Sequence, residues 1–270
     1  MTARGERDEE QEQLGLLMRE LSLVDGWLSR LGSGPGLMPV AAGTPLAGDD
    51  RWSNPFQVSH AVASALVVAV DHAHCLRRSI EGCAKCAPSE LTLLLNSYYS
   101  LLRGAMENAA RAIWLLAPEQ RPGRVLRRLR LQAGNVIQSD GLCEVGGLPR
   151  KKPKADRLKR VEEIAQRWNI SPEAAVKPPS NREIVRAAGE YIAGDAGHAE
   201  VVWRACSAAA HGDTWAVLSL HDREEASRVN DVVTLRTTAS TNVLTTMVVE
   251  AVAVIKSAFL LRDIRNRPPY

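Results

Sequence analysis

Arg204 and His211 are the residues of this chain whose types and spacing speak most directly of chemistry. On an α-helix, residue i+7 is rotated only about 20° from residue i, two turns further along. The two side chains therefore share a stripe, with Ser207 between them and their backbones about 10 Å apart along the axis. Ala208, Ala209 and Ala210 leave space beside the imidazole, and Gly212 follows as a helix stop. His211 thus sits in a last turn, at the negative end of the helix dipole. This arrangement suits an acid/base group beside a fixed cation. It suits equally a histidine that caps carbonyl groups, with Arg204 in a structural ion pair, and spacing leaves both readings open.

Three further constellations carry charge or ligand atoms. Asn96, Ser100, Arg103, Glu107 and Arg111 recur at helical spacing through the most apolar segment of the chain. Arg103, Glu107 and Arg111 form an i, i+4, i+8 ladder, expected to face a partly enclosed groove either as binding groups or as mutually paired charges. Asp71-His72 and His74-Cys75 precede Cys83 and Cys86, but the other two ligands lack a zinc spacing. We therefore expect loop thiols there, with no metal and no cofactor. Between residues 118 and 160 twelve Lys or Arg face four acids, so the basic excess is local. Arg150, Lys151, Lys152 and Lys154 could contact phosphate, or form a solvated basic loop. That stretch lacks aromatics, so base stacking is not expected within it. No glycine-rich phosphate loop, GxSxG elbow, HExxH or dinucleotide fingerprint is present, which removes the commonest nucleotide, hydrolase and metalloprotease readings.

The elements that must position these groups read as helices. The chain has 270 residues, 45% of them apolar but only 4% aromatic, and Ala, Leu and Val supply most of that apolar mass. The expected fold is mainly all-α, a multi-helix bundle with a small β-hairpin near 215–237. Leu14, Leu17, Leu21, Val24, Leu28 and Leu31 form an a/d seam, so residues 1–31 read as an N-terminal helix, serving as a dimerisation arm or packing on its own domain. The Gly- and Pro-rich residues 32–52 read as a linker, and residues 53–270 as the bundle. Within the bundle, helices are expected over 57–81, 90–117, 122–139, 155–168, 181–192, 198–210 and 241–265, with β-branched strands over 215–220 and 229–237. Residues 241–261 are strongly apolar, but Asn242, Glu250 and Lys256 interrupt them, so a buried helix is expected and no membrane. A net charge of +3 is too small to mark a nucleic-acid binder by bulk charge. The polar, acidic start has no apolar leader segment, so a cytoplasmic location is expected.

Residues 202–215 (VWRACSAAAHGDTW) resemble a helix-end motif of uncharacterised actinobacterial helical proteins, and residues 102–118 (LRGAMENAARAIWLLAP) look like their central helix. Together they are similar to the wider HEPN superfamily, whose ribonuclease members carry an Arg, four to six residues and a His. Here six residues intervene. The resemblance covers about residues 57 to 265. It implies a helical bundle that forms a homodimer with two Arg/His pairs facing one cleft. It also implies RNA or nucleotide as ligand, an antitoxin or other protein as partner, and a place in a toxin or defence system. In a catalytic member His211 would be the metal-independent acid/base, Arg204 would stabilise the phosphorane charge, and Glu107 would orient Arg204. Ala205 stands where such nucleases usually have a polar residue. That departure favours a binding module over a ribonuclease, with a plain helical scaffold as the third reading.

Overall fold

The computed structural model describes residues 4–32, 38–82 and 91–268. Among these, eleven helices and one two-stranded antiparallel hairpin follow in order, which is the mainly helical bundle expected from composition and periodicity. Helix α1 is Arg4–Leu31, α2 Pro45–Ser53, α3 Val58–Glu81, α4 Ser97–Leu116, α5 Arg121–Val145 and α6 Lys154–Gln166. Then come α7 Pro172–Ala175, α8 Asn181–Ala193, α9 Ala196–His211, α10 Thr214–Leu220, β1 His221–Val229, β2 Val232–Ala239 and α11 Thr241–Arg265.

Helix α4 is the axis of the molecule. Its Ala, Leu, Ile and Trp side chains leave only a narrow polar stripe, so neighbours cover it on most sides. Helices α3, α8, α9 and α11 all pack on it. Trp114, Tyr98, Tyr99 and Phe259 are among the largest side chains wholly removed from water in this core. Both α3 and α11 are long and apolar enough to cross a membrane, with 44% and 56% of their apolar windows buried against neighbours. About half of each window therefore faces the bundle interior. A second, smaller core joins α5, α6 and α7 around Val125, Leu129, Val161 and Ile164. Trp52 and Trp168 stack at 4.2 Å beside it, and Trp168 Nε1 donates to Trp52 O at 2.9 Å.

Several boundaries differ from expectation. The α1 seam is filled by its own chain: Leu17, Leu21, Val24 and Leu31 are buried against α3 and α11, and Trp27 stacks on Phe259. The helix is therefore a wall of this domain, and its seam is not left open as a dimerisation arm. The stretch expected as a linker over 32–52 contains α2. Thr44 caps it by accepting from Ala47 N, Pro45 fits the first turn, and Asp49 is fully buried. Asp49 accepts from Arg124 Nε at 2.6 Å and Nη2 at 2.9 Å, a pair 75 residues apart that composition could not reveal. The hairpin forms later than expected. Residues 215–220 are α10, and the polar run HDREEASRV makes the first strand, paired to β2 with a bulge between Glu225 and Ser227. The left-handed Asn230 lies between the strands, and both strands are largely exposed.

Helices α8 and α9 form a tight antiparallel unit. Ser180 caps α8, Asp195 caps α9 through Gly197 N at 2.8 Å, and left-handed Gly194 and Gly212 end the two helices. Gly189 permits the close approach: a Cβ there would lie 2.7 Å from Asp195 O.

Candidate functional site

Helix α9 packs on α4, with Trp203 and His211 facing Glu107 and Arg103. Arg103 Nε donates to Glu107 Oε1 at 2.9 Å, one turn on, as the i, i+4 spacing requires. Trp203 Nε1 donates to the same carboxylate oxygen at 2.7 Å, and its ring lies under the Arg103 guanidinium, 5.9 Å from centroid to Cζ. Held by both contacts, Arg103 places Nη1 3.2 Å from His211 Nε2. A guanidinium can only donate, so Nε2 accepts and the ring is the neutral tautomer in this contact. His211 is exposed, while Arg103 and Glu107 are 29% and 18% exposed at the side chain, so the cluster is anchored at its base and open at its tip.

Arg204 is elsewhere. Its Nε donates to Glu200 Oε1 at 2.8 Å, where Arg182 Nε (2.7 Å) and Arg186 Nη1 (2.6 Å to Oε2) converge from α8. Hydrogen bonds from Arg186, Arg204 and Arg182 pull the Glu200 carboxyl down to about 2. The expected Arg204–His211 partnership and the orienting role of Glu107 toward Arg204 are therefore both corrected. The shared stripe is real, but helical side chains lean toward the N-terminus. Arg204 accordingly reaches back one turn to Glu200, away from His211 two turns ahead. Ser207 sits half-buried on the helix between them.

The ladder on α4 divides. Each i+4 step advances about 40°, so Arg111 lies about 80° round from Arg103. Glu107 is taken by Arg103 and Trp203, while Arg111 Nη1 donates to Asn108 Oδ1 at 3.3 Å and faces a different cleft. Asn96 Oδ1 meets His221 Nε2 at 3.3 Å, where burial pushes the imidazole down and the Tyr99 hydroxyl up to about 12.

Part of the basic stretch is neutralised within the fold, since five of its twelve cations pair with carboxylates among the described residues. Arg124 and Arg121 hold Asp49, Arg130 holds Glu183, Arg150 holds Asp140 at 2.8 Å, and Arg160 pairs with Glu163. Arg127 donates to Trp114 O and Arg128 to Gln57 O. Arg150 is therefore better described as a helix staple than as a free phosphate contact. Lys151, Lys152 and Lys154 remain exposed, and Lys152 lines a surface groove with Arg157 and Lys159. Among the described residues no group of three or more His, Cys, Asp or Glu side chains could hold a metal. The Cys83 and Cys86 pair lies outside them. Burial pushes the Cys206 thiol up to about 12, so it stays protonated and unreactive.

Sequence reasoning missed Trp203 and Glu200. Trp203 stands beside Arg204 as the only aromatic of that helix, and Glu200 stands four residues before Arg204 at ion-pair spacing. In comparisons with known proteins, no family model, no curated protein and no solved structure matches the chain.

Proposed function

We propose that this chain is a HEPN-like helical protein that binds single-stranded RNA at the Arg103–Trp203–His211 cluster. One observation carries the reading: Arg103 Nη1 stands 3.2 Å from an exposed imidazole, and Glu107 and Trp203 hold the guanidinium in place. The preorganised Arg103 guanidinium has N–H groups beyond those used on Glu107 and His211 to offer one phosphate, and fixing it beforehand lowers the ordering cost of binding. The neighbouring indole offers an apolar edge to a base or ribose. Lys151, Lys152 and Lys154 have no carboxylate partner among the described residues and add sequence-independent attraction. The same reading takes the chain to act in the cytoplasm as a homodimer, with an antitoxin-type protein as its natural partner.

The test is fluorescence anisotropy with short labelled single-stranded RNA. Binding should weaken as salt rises, and R103Q should raise Kd about tenfold, or ~1.4 kcal/mol. RNA affinity that neither R103Q nor H211A changes would remove the cluster from the interface.

The same contact favours a second reading, metal-independent RNA cleavage. His211 would shuttle the proton between the ribose 2′-hydroxyl and the leaving oxygen, with Arg103 in place of Arg204 beside the pentacoordinate phosphate. Cleavage in EDTA leaving 2′,3′-cyclic ends, and abolished by H211A, is the expected result. Intact RNA after prolonged incubation restricts the chain to binding.

A further inference from the structure

A second cleft, of about 450 Å³, opens between α3, α4, α5 and α8. That is within the roughly 300–1,000 Å³ usual for small-molecule sites. Two arginines reach it. Arg111 comes from α4, and its Nε is buried with no hydrogen-bond partner, while Nη1 meets only the neutral Asn108. Arg128 comes from α5 and is 9% exposed, with Nε on Gln57 O at 3.0 Å and both Nη atoms 3.3 Å from Gln132 Oε1. Every hydrogen-bond partner of these two guanidiniums is therefore neutral. Asp50 acts on Arg128 through space, but its two oxygens are taken by Ser59 N and Oγ. None of the described residues lining the cleft is acidic.

Burying positive charge without a counter-charge is costly, and most such groups are paired. The strain shows at Arg128, which burial pushes down to about 10. The first residue of α8, Asn181, stands on the rim, so the positive end of that helix dipole points the same way. Asn135 and Gln138 add amide groups, and Leu131, Val68 and Ile184 supply an apolar wall.

We propose that this cleft binds a small phosphate monoester, with Arg111 and Arg128 taking the dianion and the amides reading a polar body. Two guanidiniums and a helix N-terminus match two negative charges, where a single carboxylate would leave one cation unmatched. Arg111 supplies the decisive contact through its terminal nitrogens, whose one partner among the described residues is the neutral Asn108. The site is separate from the Arg103–His211 cluster: Arg111 lies two turns, roughly 12 Å, further along α4.

The test is thermal unfolding and titration calorimetry on the whole chain, with inorganic phosphate, the nucleoside 5′-monophosphates and the parent nucleosides as probes. At millimolar concentration phosphate and at least one monophosphate should raise Tm, and the nucleosides should not. R111Q should weaken monophosphate binding at least about tenfold. S64E, which adds a carboxylate at an exposed position on the cleft wall, should do the same by repulsion. If R111Q does not fold, S64E decides. Absence of any phosphate-dependent shift overturns the proposal, as does unchanged binding in S64E. The Arg103–His211 cluster would also take phosphate, so R103Q is the control: a shift that R103Q keeps and that R111Q and S64E lose belongs to this cleft, and one that only R103Q loses overturns the proposal.

Discussion

Arg103 and His211, 108 residues apart, meet at 3.2 Å because Glu107 and Trp203 together fix the guanidinium between α4 and α9. Glu107 is thus a positioning residue for Arg103. E107Q keeps the shape but replaces a charged acceptor by a neutral one. RNA affinity should fall about threefold to tenfold, by the ~0.7–1.4 kcal/mol of a weakened charge-assisted contact, while the fold persists. The circular-dichroism spectrum and Kd of E107Q, measured together, check this. An unchanged Kd would show that Arg103 needs no anchor.

The buried pair of Asp49 and Arg124 ties α2 to α5. Burial pushes the Asp49 carboxyl up while Arg124 and Arg121 pull it down, so the charge depends on both partners. D49N leaves Arg124, 3% exposed, without its counter-ion and should cost about 3–5 kcal/mol in urea unfolding. A loss below ~1 kcal/mol would mean that water or another group replaces the carboxylate.

Glu200 gives the molecule an acid-sensitive joint. Its carboxyl titrates at about 2 in the folded chain against an ordinary 4.5, so the ionised form is the one the fold prefers. Its stabilisation is complete above the ordinary value and is lost as pH falls from about 4.5 toward 2. Tm should decline through that window, and E200Q should flatten the decline while lowering Tm at neutral pH. Parallel acid profiles for E200Q and the parent chain would assign acid sensitivity to other carboxylates.

Helix α1 is a structural wall, and Leu21 is 1% exposed within it. L21A should cost about 2–5 kcal/mol through the cavity it leaves. Removing residues 1–32 should yield an unfolded or aggregated product, because the apolar faces of α3 and α11 lose their cover. Light scattering after size exclusion checks it. A well-folded truncated chain of halved assembly size would instead restore the dimerisation arm.

The hairpin carries little of the fold. Replacing residues 223–237 with a short glycine turn should shift Tm by less than about 2 °C, under ~1 kcal/mol at this size. Differential scanning calorimetry of the shortened chain reads this directly.

What the sequence made legible was local. Helical spacing located α3, α8, α9 and α11 to within two residues and the end of α4 to within one, though α4 starts at Ser97 where residue 90 was expected, since one apolar stripe per turn is a short-range signal. It also marked α4 as central, because a helix apolar on most faces must be covered. The misses arose at range. PLAGDDRWS, with a Gly and two adjacent Asp, looks like a loop until Arg124 arrives from 75 residues away. HDREEASRV has no apolar alternation, because neither face of β1 is buried. Arg204 and His211 share a stripe, as spacing indicated, yet the lean of helical side chains and the arrival of Arg103 from α4 decide who touches whom. The Arg103–Glu107 step was visible at i, i+4, whereas the swing of Arg111 into another cleft follows from the 40° drift per step.

Glu200 grips guanidiniums from both α8 and α9, and Gly189 lets the two backbones meet with no side chain between them. The two helices are thus pinned to one another like a plank, at the Glu200 cluster and at Gly189. Its edges serve different surfaces, Asn181 at the rim of the α3–α5 cleft and His211 beside Arg103. Because the two helices run antiparallel, Asn181 and His211 both lie toward the open end of the plank, away from the turn at Gly194.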